Sequence, residues 1–379
     1  MAAPRQAPSH YISRLRLSNF RNYVSAALDL DDRHIVLTGP NGAGKTNLLE
    51  AISLLSAGRG LRRVNFEILA LHNGTGGWAV ATGIETQYGS VDLGTGLDPG
   101  SSTGRRVRIN GAPAKSVEQL GEYLRILWLT PAQDGLFAGP AADRRRFFDR
   151  LVLALIPGHG AQVAQFEKAM RQRNKLLDES GDPTWASAIE AQMAAHASAM
   201  HFARLDTIVH LNELLRIEGA LGFPSAYLEL DGQAEIGDFQ TSTELEEAYI
   251  RIWQQRRQLD RAAGRTTLGP HRTDILVTNI DKQMPANMCS TGEQKALLVG
   301  LVMAHAQLVK KMTGLSPLLL LDEIAAHLDA DRRASLFSLL NALGTQCWMT
   351  GTDQMFFEAL AGDAQFFNVE DACLTPLKP

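Results

Sequence analysis

No stretch of this sequence approaches the roughly 20 consecutive apolar residues that a membrane-spanning helix needs, and the opening MAAPRQAPSH has no apolar core of the kind a secretory leader carries. The expected location is therefore the cytoplasm. Cysteine is scarce: Cys289, Cys347 and Cys373 are the only three, without a CxxC spacing or a Cys/His cluster. That excludes a disulfide framework and a zinc site, and leaves three ordinary thiols. An excess of positive charge is missing too. With a formal net charge of -4, the chain is not a globally basic nucleic-acid binder, so any such site must be a local patch. No internal repeat is present, and no helical run is long enough for an extended coiled-coil arm.

What is present is a globular composition, 45% hydrophobic over 379 residues, enough for one large domain or two ordinary ones. YISRLRLSNFRNY alternates Ile12, Leu15 and Leu17 with polar neighbours, and AALDLDDRHIVLTG carries Ile35, Val36 and Leu37. Both predict strands, the second ending at a glycine loop. Leu48, Leu49, Ile52 and Leu55 then share one helical face. From Trp78 to Leu129 the pattern predicts more sheet, with a hairpin at Asn110-Gly111 and an exposed loop at GTGLDPGSSTG. From about Ala141 the pattern turns helical. Two runs break at Gly181-Asp182-Pro183, and Trp185, Ile189, Met193, Met200, Ile208, Leu211 and Leu215 follow helical spacing in the second. AYLELDG reads as a strand, TSTELEEAYIRIWQQRRQLDRAAG as one helix opened by a capping box from Thr241 to Glu244, and GRTTLGPHRTDILVT as sheet. A helix from about Thr291, the strand PLLLLDE, another helix and the strand QCWMTGTD follow.

The chemistry starts at GPNGAGKT. Gly39, Gly44, Lys45 and Thr46 satisfy GxxxxGK[ST] between a strand and a helix, so the backbone from Gly39 through Pro40, Asn41, Gly42, Ala43 and Gly44 is suited to surround phosphates. Lys45 would meet the β/γ oxygens and the Thr46 hydroxyl would bind Mg²⁺. In PLLLLDE, an apolar strand delivers Asp322 and Glu323 to the edge of a sheet. Asp322 would hold Mg²⁺, and Glu323 would orient or deprotonate the attacking water.

CSTGEQKALL has the SxGxQ pattern at Ser290, Gly292 and Gln294 just before an apolar helix, and it resembles the signature of ABC-type ATPases. That resemblance implies a head-to-tail homodimer with ATP sandwiched between a phosphate loop and the partner's signature. It further implies that AHLD is a D-loop with Asp329 as its acidic residue, with Ala326 where related proteins often carry serine. Gln133 is then a Q-loop candidate near Mg²⁺, and Thr350 or Thr352 stands where many such ATPases have a switch histidine.

LRLSNFRNY, GPNGAGKTNLLEAI, GRGLRR, LTPAQDGLFAGPAADRRRFFDRLV, TTLGPHRTDILV and STGEQKALL together resemble the bacterial RecF family over nearly the whole chain. The implied fold is an α/β, ABC-type P-loop ATPase head, whose first lobe combines mixed β structure with an α/β core. A mainly helical second lobe lacks a long coiled coil. The expected divisions are 1–130, the N-terminal half of the first lobe; 131–285, the helical insertion; and 286–379, the signature helix and the rest of the core. The implied activity is slow ATP hydrolysis driving a dimer switch on duplex, single-stranded or gapped DNA in recombinational repair, with RecR and RecO as partners in placing RecA. The alternatives are the nucleotide-binding subunit of a membrane transporter and a scaffold that does not turn ATP over. Arg62, Arg63, Arg105, Arg106, Arg144, Arg145 and Arg146 are either DNA contacts or members of ion pairs. Arg21 and Asn22 lie either near the nucleotide or in a surface turn, and His271 and Arg272 serve DNA, interlobe or ATP-linked contacts.

Overall fold

The computed structural model describes residues 5–101, 104–179, 181–218, 222–232, 237, 239–325 and 328–378. Two compact units emerge: Met1–Asp134 with Ala220–Pro224 and Thr291–Pro379, and Gly135–Gly219 with Ser225–Ser290. The first opens with β1 (His10–Phe20), β2 (Tyr23–Asp29), β3 (His34–Thr38), α1 (Lys45–Ser53), β4 (Trp78–Thr86), β5 (Gly89–Leu97), β6 (Arg106–Ile109), β7 (Ala112–Pro113) and β8 (Ile126–Leu129). The second holds α2 (Ala141–Leu155), α3 (His159–Asp178), α4 (Pro183–Glu218), β9 (Ala226–Asp231), α5 (Ser242–Gln255), α6 (Arg257–Ala262), β10 (Asp274–Asn279) and β11 (Met284–Pro285). The first resumes with α7 (Thr291–Thr313), β12 (Leu318–Leu321), α8 (Ala330–Leu343), β13 (Cys347–Thr350), β14 (Ala364–Glu370) and β15 (Cys373–Leu377).

Two six-stranded sheets build the first unit. One, in the order β2-β1-β4-β5-β6-β7, is antiparallel throughout. The other runs β15-β14-β3-β13-β12-β8 and is parallel from β14 to β8. The leucines of β12 are all buried, as are Ile35, Val36 and Leu37 of β3, which is what a strand covered on both faces requires. AALDLDDRHIVLTG is two strands in different sheets rather than one. Arg33 turns the chain between them, its N–H and guanidinium both donating to the Asp31 carboxylate. The loop expected at GTGLDPGSSTG begins only after Leu97, because Gly94–Leu97 still pair with β4 and β6. Asn110 and Gly111 have φ of 50° and 79° and connect β6 to β7, as a two-residue hairpin demands. The terminal strands β14 and β15 were not anticipated from the sequence.

Gln346, fully buried, ties the two sheets together. Its Oε1 accepts the Ile12 N–H at 3.0 Å, and its Nε2 donates to the Ile12 and Asp31 carbonyls at 3.2 and 3.0 Å. The amide thus stands in for a neighbouring strand's peptide group. Beside it His34, also buried, is fixed in one tautomer: Nδ1 accepts the Cys347 N–H at 3.2 Å, so Nε2 donates to Asn341 at 3.1 Å.

In the second unit α4 packs on both α3 and α5, beside a three-stranded antiparallel sheet in the order β11-β10-β9. Phe166, Met193, Met200, Leu245, Tyr249 and Trp253 form its core. Trp185, placed inward by helical spacing, is 65% exposed, because the buried face of α4 begins at Ala186 and continues through Glu190 and Met193. The single helix expected from Ser242 onward is broken at Arg256. Arg173 Nη2 donates to the Trp253 carbonyl at 2.8 Å, competing for an acceptor that a continuous helix would use. At its start Thr241 accepts the Glu244 N–H, but Glu244 turns its carboxylate to the Thr241 hydroxyl instead of completing a capping box through the backbone. GRTTLGPHRTDILVT is strand only from Asp274; residues 264–273 form an irregular loop.

Replacing Gln346 with Leu should destabilise the protein by about 2–4 kcal/mol in urea unfolding, since it strands the buried N–H and C=O of Ile12. Burial lowers the pKa of both His34 and His271 to about 4. Between pH 6.5 and 4 the unfolded chain binds these protons and the folded chain does not. Stability should therefore fall with decreasing pH by up to about 1.4 kcal/mol per unit for each histidine, with no contribution above pH 7. Unfolding titrations of a His34→Asn variant should show a shallower acid limb.

Candidate nucleotide site

Parallel strands place their C-terminal ends on one edge, and the register aligns Thr350 with Leu37 and Leu321 with both Leu129 and Met349. The phosphate loop, the Asp322-Glu323 pair and Thr350 therefore meet by sheet geometry alone.

The loop is shaped by glycines that no other residue can replace. Gly39 has φ 135°, and a Cβ there would lie 2.2 Å from the Val369 carbonyl oxygen. Gly44, with φ 118°, would drive a Cβ to 2.7 Å from both Asn22 Nδ2 and Tyr23 Oη. Those two side chains brace the loop: Asn22 donates to the Ala43 carbonyl and Tyr23 to that of Gly44, each at 3.1 Å. Asn22 thus lies at the loop. Arg21 instead grips Glu50 of α1 through two hydrogen bonds of 2.8 and 2.9 Å. Lys45 Nζ sits within the curve of the loop, donating to the Gly39 and Pro40 carbonyls at 2.6 and 2.9 Å. Burial depresses its pKa, against the pull of Glu323 and Asp322.

Asp322 is the junction. It accepts the Thr46 hydroxyl at 2.9 and 3.0 Å and the Thr350 hydroxyl at 2.7 Å. Burial raises its pKa, while the two hydroxyl bonds and the charge of Arg62 act to keep it ionised. Thr350 Oγ1 also accepts the Glu323 N–H at 2.9 Å. Glu323 has φ 52°, a left-handed conformation that costs a non-glycine residue about 1–3 kcal/mol unless its surroundings impose it. Of the two threonines near the switch position, Thr350 is buried against the carboxylates and Thr352 is exposed. Among the described residues no cluster of three or more His, Cys, Asp or Glu gathers for a metal. The donors at the junction are one hydroxyl and one carboxylate, the hard oxygens that Mg²⁺ takes alongside water and phosphate.

The remaining expected residues sit on other elements. Gln133 Oε1 accepts the Thr130 N–H at 3.0 Å in a capping box. Asp329 caps α8, accepting the Arg332 N–H at 2.8 Å. Ser290 and Gly292 are exposed at the start of α7, and Gln294 is buried. Ala326 lies outside the described residues. Arg62 pairs with Glu50 at 2.6 Å and Arg106 with Asp98 at 2.8 Å. Arg105 is directed at the carbonyls of Leu54, Ser56 and Gly58, so it holds this segment together rather than facing a ligand. In the second unit Arg144 forks onto Asp274 and Arg146 pairs with Asp143. Glu50, which gathers Arg21 and Arg62, was missed because a buried helical glutamate leaves no periodic signal.

Thr350→Val should lower ATP turnover about 10- to 100-fold, the equivalent of one charge-assisted hydrogen bond, while nucleotide affinity by fluorescence titration stays unchanged and Thr350→Ser restores the rate. A serine variant as slow as the valine variant would contradict this role.

The model of the RecF/RecN/SMC N terminal domain matches residues 11–374. The chain is 53% identical over 369 residues to the DNA replication and repair protein RecF of Rhizobium rhizogenes, covering 96% of this chain and 98% of that one. It is equally similar to RecF of Agrobacterium fabrum, 53% over 370 residues with coverage of 96% and 98%. In structure it is similar to the recombination mediator protein RecF-ATPrS of the RecFOR pathway, with a TM-score of 0.84, 21% identity, and coverage of 98% of this chain and 99% of that one. A likeness to the Smc head domain with an extended coiled coil from Pyrococcus furiosus has a TM-score of 0.52 at 15% identity, covering 97% and 96% of the two chains. The fold is thus that of an ABC-type ATPase head. The chain belongs to the RecF family of DNA replication and repair proteins.

Proposed function

We propose that this protein is a slow ATPase whose ATP-bound form closes as a head-to-tail homodimer on DNA during recombinational gap repair, in the cytoplasm, with RecR- and RecO-like partners helping to load RecA. The observation that carries the reading is the convergence of Thr46 and Asp322, at 2.9 and 3.0 Å, beside Glu323. Family membership favours this reading over the transporter subunit, and no helix among the described residues is long and apolar enough to cross a membrane. In this reading 1–130 and 286–379 make the ATPase lobe and 131–285 the helical lobe.

The phosphates rest on the N–H groups of the loop between Pro40 and Lys45 and on the N-terminus of α1, and Lys45 offsets the negative charge that grows in the transition state. Thr46 and Asp322 would hold Mg²⁺, with Gln133 as a further candidate ligand, and the ion would supply neutralisation of phosphate charge. Glu323 takes the proton of the attacking water. Ser290, Gly292, Gln294 and Asp329 of a second copy complete the nucleotide's surroundings only in the closed dimer, so ATP binding and dimerisation are linked.

Glu323→Gln should leave ATP binding intact, cut hydrolysis at least about 100-fold, and prolong the closed state. Light scattering with ATP, Mg²⁺ and gapped DNA should show a doubled mass that persists. Turnover at the unmodified rate would remove Glu323 from the catalytic role, and a dimer that ignores DNA at low salt would remove the repair function.

A further inference from the structure

The segment Arg256–Thr273 holds five arginines, Arg256, Arg257, Arg261, Arg265 and Arg272, and a single carboxylate, Asp260. The structure turns that carboxylate inward. Asp260, 1% exposed, accepts Arg173 Nη1 at 2.7 Å and the N–H and hydroxyl of Thr267 at 2.9 and 2.6 Å. Arg257 also points inward, onto the fully buried Glu190 that it shares with Arg173. Two cations and two anions are thereby closed into a neutral network with no charge to spare for the surface.

The same interior groups fasten the irregular loop that follows. Arg173 Nη1 donates to Thr266 Oγ1 at 3.0 Å, Trp253 Nε1 to the Leu268 carbonyl at 2.8 Å, and Arg204, itself paired with Asp149, to the Pro270 carbonyl at 2.6 Å. His271 closes the loop on itself: its Nε2 donates to the Thr266 carbonyl at 3.0 Å, so the two ends of the turn meet. A buried ion pair rarely raises net stability over an apolar replacement, so its attested use is to impose one geometry. Here that geometry belongs to a loop with no secondary structure of its own.

On the outer side, Arg261, Arg265 and Arg272 are exposed, and no described carboxylate pairs with them. Arg265 and Arg272 flank the two residues that the His271–Thr266 bond joins. Arg145, donating to the Thr273 carbonyl at 3.3 Å, stands close enough to Arg272 for their charges to oppose one another. The carboxylates nearest to Arg145, Asp274 and Asp149, are already taken up by Arg144 and Arg204. A preset cluster of guanidinium groups with no carboxylate paired to its exposed members matches the evenly spaced anions of a nucleic-acid backbone, which arginine forks engage without reading sequence.

We infer that the loop 264–273 is a rigid platform that presents Arg265 and Arg272, with Arg145 and Arg261 beside them, to the sugar–phosphate backbone of DNA, and that the buried Arg173–Glu190–Asp260 network exists to hold it in shape. This deepens the DNA-binding reading above and rests on it.

The test is fluorescence-anisotropy binding of a labelled gapped duplex with ATP and Mg²⁺, over a range of salt. It compares the unmodified protein, the double variant Arg265→Ala/Arg272→Ala, its Arg265→Lys/Arg272→Lys counterpart, and Arg216→Ala as a control from an exposed i,i+3 pair with Glu213. The alanine pair should reduce the slope of log affinity against log salt by about 2, so that raising salt from roughly 50 to 200 mM costs it about tenfold less affinity than the unmodified protein. ATP affinity and ATP-induced mass should not change, and the lysine pair should restore the slope. An alanine pair with the unmodified slope, beside a parent that binds DNA, overturns the platform alone. A parent that binds no DNA in either nucleotide state overturns the DNA reading as well. Unchanged DNA binding with loss of binding to a purified RecR-like partner would make the surface a protein interface and overturn the proposal.

Discussion

Everything at the nucleotide edge depends on one buried carboxylate being hydrogen-bonded by two hydroxyls from distant parts of the chain. Asp322 is 6% exposed, and an ionised carboxylate there is tolerable only with donors in place. Thr46 and Thr350 provide them, one from the start of α1 and one from the end of β13. The same Thr350 oxygen accepts the N–H of Glu323, so the side chain whose hydroxyl donates to Asp322 also anchors the left-handed backbone of Glu323 through a second hydrogen bond. Both carboxyl-bearing residues of the pair are thus positioned by one side chain.

The second unit uses buried charge differently. Arg173, Glu190 and Asp260 are fully buried yet touch no reaction; they interrupt a helix at Arg256 and tie down a loop. Desolvating these ions opposes folding, and only a complete set of partners offsets it. The network is complete: Thr266, Thr267 and the Trp253 carbonyl take up the remaining donors and acceptors. The unit therefore combines an apolar helical core around Trp253 with a polar clamp on one irregular segment.

The sequence was most informative where short-range rules act alone. GxxxxGK[ST] between a strand and a helix, four leucines before Asp-Glu, and Asn-Gly between two short strands each carry their geometry locally, and the structure places all three as such elements. Reading failed where a distant group overrode local preference. TSTELEEAYIRIWQQRRQLDRAAG has the composition of one helix, but Arg173, far away in the chain, captures the Trp253 carbonyl. Arg105 resembles a surface cation in sequence, yet three backbone carbonyls draw it inward. The β14 and β15 pair was missed because a short strand such as AQFFNVE is recognisable only once β3 is there to pair with it.

By itself, then, the sequence determined the ligand class, the order of strands and helices around the phosphate loop, and the family, because glycine torsions, strand burial and helix periodicity are set by residues close together in the chain. Only the tertiary structure decided which threonine meets Asp322, that Glu323 takes a left-handed turn, and which arginines are spent inside and which face solvent. Those outcomes depend on hydrogen bonds and ion pairs between segments far apart in sequence, and whether a buried charge is satisfied is known only once its partner has been brought to it.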